Sequence, residues 1–238
     1  SIQVAVLPQL HLSGLAGQNS LTNGIGTLRE KSLHAAVKDW YATPGDRLEH
    51  ALDGYVVDIV RDDTTLIEIQ TGGFAPLKRK LRKLTADYTV RLVHPIAAMK
   101  WIVRVAADGV KEIGRRRSPK RGRAEHVFEK LVSIPELINQ DRFSLELLLI
   151  HEEEVRCYDG QGSWRHPEWR RHDRRLVEVE ERRVFEHSDD FLDFVPANLP
   201  RPFTNRELAE ATRYRLALAG KMTYCLRRMG ALRVTGKR

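Results

Sequence analysis

The chain has 238 residues, of which 30% are charged and 42% are hydrophobic, and its formal net charge at pH 7 is +8. This length suffices for one large or two modest cores, and no run of residues approaches the about 18 apolar residues of a transmembrane helix. Cys157 and Cys225 lie far apart and outside any Cys-x-x-Cys pair, so neither a disulfide framework nor a zinc site is expected. We therefore expect a cytoplasmic protein of prokaryotic type that does not bind a membrane.

The first predicted element is an amphipathic helix. Residues 1–25 form an N-terminal extension without a basic leader, so no signal peptide is expected. The spacing of apolar residues between positions 28 and 41 is typical of a helix with one buried face. The same spacing places Glu30, His34 and Lys38 along a single polar stripe.

Strands and one further helix follow. Runs rich in β-branched and aromatic residues predict short strands, and Asp53-Gly54 is a strong hairpin signal. We predict strands over residues 47–52, 55–60, 66–70 and 88–93, with a helix over residues 74–84 between the last two. The resulting order is α-β-β-β-α-β, in which the last strand can return parallel to its predecessor through a right-handed crossover.

The hairpin between the second and third strands places two carboxylates together. If its loop has three residues centred on Asp63, Asp58 lies directly across from Glu68. Two carboxylates whose Cβ atoms are about 5 Å apart repel each other unless a cation lies between them. The pattern therefore predicts a site for Mg²⁺ or Mn²⁺. Gln70 follows Glu68 by two positions, so its amide is expected on the same face.

The middle of the chain, residues 96–194, is predicted to be a connecting α/β region. Apolar periodicity indicates strands near residues 101–105, 143–150 and 174–180 and a helix near residues 124–131. The run 114–123 combines arginine and lysine with Gly, Pro and Ser, so it is interpreted as a basic loop. It either tracks a nucleic-acid backbone or is a solvated linker.

The C-terminal part begins after a proline-rich linker at residues 195–202. Thr204 and Glu207 form a capping-box pattern that predicts the start of a helix. A second helix is expected from Leu216 to a C-cap at Gly230. A strand is expected to begin just beyond this helix.

These C-terminal elements resemble a winged helix-turn-helix over residues 202–238 with an incomplete wing. The resemblance implies that the helix from Leu216 lies in the major groove of DNA. The side chains it would expose there are Arg215, Lys221, Thr223, Arg227 and Arg228. Helix-turn-helix geometry also serves protein contacts, and that alternative stays open.

Charge is distributed unevenly along the chain. The net charge is −4 over residues 1–75, +12 over residues 76–123, −8 over residues 124–200 and +8 over residues 201–238. Such basic blocks are typical of proteins that bind phosphate backbones. In the first block, the candidate DNA-binding residues are Lys80, Arg115, Arg116, Arg117, Lys120, Arg121 and Arg123.

The first six elements resemble the PD-(D/E)XK nuclease superfamily over residues 26–95. The resemblance implies a restriction endonuclease-like α/β core with a mixed sheet. It also implies that Asp58, Glu68 and the carbonyl of Ile69 ligate a divalent metal that activates water for phosphodiester cleavage. Glu30 would have an accessory role.

The chain departs from the superfamily motif at Gln70, where most members have lysine. That lysine helps to orient or deprotonate the attacking water and stabilises developing charge on phosphorus. Lys78 is the favoured substitute, with Lys80, Lys38 and His34 as alternatives.

We therefore expect a metal-dependent DNA endonuclease that acts in restriction, repair, a mobile element or a defence system. Cutting both strands would favour a homodimer. The alternative is a non-catalytic DNA-binding protein that kept the nuclease fold after losing its lysine. RNA as the substrate is a third possibility.

Overall fold

The structure is a computed structural model that describes residues 31–160 and 168–236. Within these ranges the chain forms seven strands and five α-helices. The strands are β1 (Arg47–Leu52), β2 (Tyr55–Arg61), β3 (Thr65–Ile69), β4 (Thr89–Val105), β5 (Glu112–Arg117), β6 (Phe143–Tyr158) and β7 (Trp169–Phe185). The helices are α1 (Lys31–Tyr41), α2 (Lys78–Leu84), α3 (Phe128–Leu131), α4 (Asn205–Thr212) and α5 (Leu216–Arg228). Short 3-10 helices cover Ala75–Leu77, Ala124–Val127, Pro135–Asn139 and Ser188–Phe194.

All seven strands belong to one mixed sheet. The strand order is β1-β2-β3-β4-β6-β7, and β5 pairs with the second half of β4. The pairs β3–β4 and β4–β6 are parallel, whereas the other pairs are antiparallel. The predicted α/β class, mixed sheet and α-β-β-β-α-β order are thereby confirmed.

Helices cover both faces of this sheet. On one face, α1 buries Leu33 and Val37 against strand residues that include Ile67. On the other face, α2, α3 and α5 share one larger core, in which Phe74 and Met222 are both fully buried. The C-terminal helices therefore pack into the same hydrophobic core as the sheet.

The loop between β2 and β3 has the predicted length. Arg61 pairs with Thr65, which leaves three loop residues centred on Asp63. Asp62 and Asp63 both have positive φ angles, 50° and 56°. Aspartate tolerates this left-handed conformation better than most residues, because its short side chain hydrogen-bonds locally. The turn thus fixes the register of the hairpin.

Three predicted elements differ in the structure. The strands expected at residues 88–93 and 101–105 are one strand, β4, which continues through Pro95. Proline is tolerated there because β3 has already ended and β5 has not begun, so β4 has a single neighbour, β6. The supposed basic loop 114–123 instead begins in β5, whose arginines extend outward from an edge strand.

The strand expected after α5 is the third difference. Residues 231–236 have no regular secondary structure. No strand within the described ranges pairs with them, so their backbone has no sheet to join.

No helix within the described ranges is long and apolar enough to cross a membrane. Cys157 and Cys225 are both free and buried.

We predict an acid-dependent loss of stability at His94. Its Nδ1 lies 2.5 Å from the Gln70 carbonyl oxygen, and burial lowers its pKa from 6.5 to about 4. Below pH 6.5 the unfolded chain binds a proton that the folded protein excludes, so this contribution to stability is lost as pH falls. Between pH 7 and pH 5 the loss is about 2 kcal/mol.

Glutamine at this position cannot titrate and still offers an N–H donor to the Gln70 carbonyl. The difference in unfolding free energy between wild type and His94→Gln, measured by urea denaturation, should therefore shrink by about 2 kcal/mol from pH 7 to pH 5. An identical difference at the two pH values would contradict the buried neutral imidazole.

Candidate carboxylate site

Asp58 and Glu68 lie side by side on neighbouring strands in the interior of the sheet. Ile59 pairs with Ile67, so the next positions outward along the hairpin are 58 and 68. The predicted hairpin register, which brings positions 58 and 68 next to each other along β2 and β3, is thereby confirmed. Asp58 is also tied to the end of β3, because its Oδ2 accepts a hydrogen bond of 2.8 Å from the Ile69 N–H.

Glu68 is the most deeply buried acid of this hairpin, with 3% of its surface exposed. Its Oε1 lies 2.5 Å from the Nζ of Lys80, which reaches the site from α2. The same Nζ donates a hydrogen bond of 2.5 Å to the Val56 carbonyl on β2. Burial of Leu81 and Leu84 fixes α2 against the sheet, and this orientation brings Lys80 to the carboxylate.

The Lys80 contact is an ion pair without hydrogen-bond geometry at the carboxylate oxygen. Glu68 Oε1 is buried and has no well-directed hydrogen-bond donor, although the ammonium is close. Burial raises the pKa of Glu68 to about 7, against the attraction of Lys80, and the charge of Asp58 adds to the increase. The oxygen thus retains the capacity to bind a cation or a proton.

Asp58 differs from Glu68 in its protonation. Burial favours a higher pKa for this carboxyl, but hydrogen bonds from His34 and from the Ile69 amide outweigh it and hold the pKa below its usual value. The His34 Nε2 lies 3.0 Å from Asp58 Oδ1. His34 is one of the polar residues that the sequence predicted on the outer stripe of α1. Asp58 is therefore ionised at neutral pH.

A third acid, Glu49, completes the cluster. It lies in β1 between Leu48 and His50, whose partners Ile59 and Val57 flank Asp58. Its φ angle of 49° interrupts the regular strand there. The Nζ of Lys38, a buried lysine on α1, lies 2.5 Å from its Oε1, and this contact lowers the pKa of Glu49.

Each of the three carboxylates therefore has its own basic partner. The pairs are Asp58 with His34, Glu68 with Lys80, and Glu49 with Lys38. The first and third bases come from α1, whereas Lys80 comes from α2. The sequence alone indicates all of these residues except Glu49, and it favours Lys78 over Lys80.

The remaining predicted site residues lie elsewhere. The Gln70 amide donates to the Gly73 carbonyl at 3.0 Å, so it supports the next loop instead of joining Glu68. The reason is that β3 ends at Ile69, beyond which the two-residue alternation no longer applies. Lys78 lies instead near Glu136, whose pKa is lowered mainly by the hydrogen bond from Arg228 and to a smaller extent by the charge of Lys78. Glu30 lies outside the described residues.

A magnesium ion is compatible with this donor set. Mg²⁺ is usually held by one or two carboxylates, with waters and substrate phosphates completing its shell. Asp58 and Glu68 supply the two carboxylates, and the backbone of Ile69 directly contacts Asp58. Within residues 31–160 and 168–236, no group of three or more His, Cys, Asp or Glu side chains is arranged to hold a metal by itself.

The predicted DNA-binding residues divide into three groups. Arg115, Arg123 and Arg228 form ion pairs with Glu153, Glu125 and Glu136, respectively. The others are exposed and have no ion-pair partner in the described part of the chain; they are Arg116, Arg117, Lys120, Arg121, Arg215, Lys221 and Arg227. Lys80 belongs to the carboxylate site instead.

Comparison with known proteins gives a family without an assigned activity. The model of a domain of unknown function (DUF8091) matches residues 31–186. An uncharacterized protein of Treponema pallidum (strain Nichols) is 32% identical to the chain over 186 residues, which is 78% of this chain and 74% of the relative. No solved structure gives a significant match. The family match includes the carboxylate site and ends before the two C-terminal helices.

We predict that Glu68 makes the metal-free protein less stable at high pH. The pKa of Glu68 is raised from 4.5 to about 7 on folding, so the folded protein binds this proton more tightly than the unfolded chain does. Stability contributed by the neutral form is present below pH 4.5 and is lost as pH rises through 7.

Glutamine cannot ionise, so the Glu68→Gln variant should gain about 2 kcal/mol relative to wild type between pH 5 and pH 8. Urea denaturation in EDTA measures this gain. The same substitution at the exposed Glu210 controls for the loss of one negative charge. A Glu68→Gln difference that does not change with pH would show that Glu68 is not desolvated.

Proposed function

The chain belongs to the DUF8091 family, and from the geometry of its carboxylate site we propose that it is a metal-dependent DNA endonuclease that hydrolyses phosphodiester bonds in the cytoplasm. The observation that carries this proposal is the position of Lys80, whose Nζ lies 2.5 Å from Glu68 Oε1. The site thus combines two adjacent carboxylates with a lysine ammonium, although the motif position of that lysine is Gln70.

Asp58 and Glu68, with the carbonyl of Ile69, would hold Mg²⁺ or Mn²⁺. When bound, the metal supplies an activated water and offsets charge that develops on the phosphoryl oxygens. His34 holds Asp58 in place through its Nε2 and keeps that carboxylate ionised.

Lys80 would take over the task of the missing motif lysine. Its ammonium is anchored at two points, Glu68 and the Val56 carbonyl, so its position is fixed before substrate binds. A fixed positive charge at this position can orient the attacking water and stabilise negative charge on the phosphate. Because Lys80 lies on α2 and not on β3, which carries Glu68, the sequence motif lacks its lysine.

Substrate binding is assigned to the basic surfaces. On α2, the exposed Arg79 and Arg82 have no ion-pair partner among the described residues. On and after β5, Arg116, Arg117 and Lys120 are exposed in the same way. Such unpaired cations bind a phosphate backbone without reading its sequence.

The finer fold assignment is part of the same proposal. A restriction endonuclease-like core is supported by the β2–β3 hairpin and the parallel β3–β4 pair that α2 connects. A winged helix-turn-helix is supported by α4 and α5, which are separated by a turn with Arg213 in the left-handed conformation. Cleavage of both strands would involve two copies of the chain, as in a homodimer.

One observation favours the alternative, a non-catalytic DNA-binding protein acting in regulation or defence. Each carboxylate already contacts a basic side chain, so all three have a polar partner without a metal. In that case DNA would bind through the basic surfaces and no metal would be required. Binding and cleavage assays with the same variants separate the two proposals.

We predict metal-dependent cleavage that requires both carboxylates. Purified protein should cut supercoiled plasmid or branched DNA in Mg²⁺ or Mn²⁺, and Asp58→Ala, alone or combined with Glu68→Ala, should abolish cutting. DNA affinity should stay within a few-fold of wild type, because the basic surfaces are unchanged. Agarose-gel assays and fluorescence anisotropy measure the two properties. DNA binding without cutting by the wild type in either metal supports the non-catalytic alternative.

Lys80 and Lys78 provide a matched pair for testing the lysine. Lys80→Met should lower the cleavage rate by roughly 100-fold or more, because it removes the fixed charge from the site. Lys78→Met removes the same charge two positions away on the same helix and should change the rate only slightly. Thermal melting verifies that both variants fold. Equal effects of the two substitutions would remove Lys80 from the reaction.

A further inference from the structure

A groove lies at the C-terminal end of the described chain, remote in sequence from the carboxylate site. It has a volume of about 690 Å³ and is bounded by the start of α4, by α5 and by residues 231–236. This volume falls within the range of about 300–1,000 Å³ that is typical of small-ligand sites. Three arginines line the groove, namely Arg201, Arg227 and Arg233.

The charge of the groove is not balanced by its own walls. Among the described residues that line it none is acidic, and within that same part of the chain none of the three arginines has an ion-pair partner. The neighbouring Arg228, in contrast, pairs with Glu136. Three guanidinium groups around one groove favour an anion, and a planar guanidinium binds phosphate oxygens in bidentate fashion.

Neutral donors in the groove support the same ligand class. The Thr223 hydroxyl donates a hydrogen bond of 2.6 Å to Asn205 Oδ1, which fixes the amide and leaves its NH₂ group as a donor. Thr204 caps the start of α4 through the Glu207 N–H, so the first turn of this helix is well formed at the groove. The Glu207 carboxylate accepts hydrogen bonds from the N–H and the hydroxyl of Thr204, so this negative charge already occupies the N-terminus of α4, and the anion-binding capacity of the groove comes from its arginines.

One wall of the groove is apolar. Pro202, Phe203, Leu232 and Val234 lie among its lining residues. A bare phosphate ion would leave this wall in contact with water, whereas a phosphate attached to a flat organic group would cover it. The combination of unpaired arginines with an aromatic and aliphatic wall therefore fits a nucleotide.

We propose that this groove binds the phosphate monoester of a nucleotide, either as a free nucleotide or as the terminal phosphate of a nucleic-acid strand. The inference does not rest on the nuclease proposal, because it uses no residue of the carboxylate site. It assigns Arg227 to a defined anion site instead of to a recognition-helix surface.

Binding is tested in EDTA, so that no metal-dependent cleavage occurs. The probes are one short oligonucleotide with either a 5′-phosphate or a 5′-hydroxyl, labelled at its 3′ end for fluorescence anisotropy, and AMP against adenosine by calorimetry. We expect the phosphorylated form of at least one pair to bind about tenfold more tightly than its unphosphorylated form. The pair that shows the preference identifies the source of the phosphate.

The Arg201→Gln, Arg227→Gln double variant should lose this preference, and Arg233→Gln should weaken it. Arg171→Gln removes the same charge from an exposed position on β7 outside the groove and should leave the preference intact. Circular dichroism verifies folding of each variant. The proposal is overturned if neither pair shows a preference for phosphate, or if the double variant retains it.

Discussion

The carboxylate site depends on the burial of the Glu68 carboxylate in β3, an interior strand of the sheet. A buried carboxylate requires a cationic partner, and here the partner comes from a helix that follows the strand in sequence. Because Lys80 also binds the Val56 carbonyl, α2 is tied to β2 and β3 together. The packing of α2 and the chemistry of the site thus depend on one ion pair that is both structural and available for function.

Polar contacts of α1 join this helix to several strands of the sheet. His34 reaches Asp58 on β2, whereas the Tyr41 hydroxyl donates to the buried Glu146 on β6 at 2.6 Å. Arg182 on β7 also donates a hydrogen bond to Glu146, at 2.6 Å, so one buried carboxylate on β6 binds both α1 and β7. One helix therefore makes polar contacts with strands that are not neighbours in the sheet. The same helix supplies His34 and Lys38 to the carboxylates of β2 and β1.

Local signals in the sequence were sufficient where a few neighbouring residues decide the conformation. The three-residue turn at Asp63 fixed the pairing of Ile59 with Ile67, and the capping box at Thr204 fixed the start of α4. Non-local packing decided the rest. Whether Lys78 or Lys80 reaches the site depends on the rotation of α2 about its axis, which the burial of other side chains sets. Whether the Gln70 amide lies beside Glu68 or contacts the next loop depends on where β3 ends.

The parallel pairing of β4 with β6 has a consequence for how the chain folds. Val90 pairs with Phe143, about 50 positions further along the chain, so a large loop must close before the first β4–β6 hydrogen bond forms. Hairpins such as β1–β2–β3 need no such closure and can form early. The chain is therefore expected to fold slowly for its size, with the hydrogen-bonding groups of β4 open to intermolecular pairing during the interval.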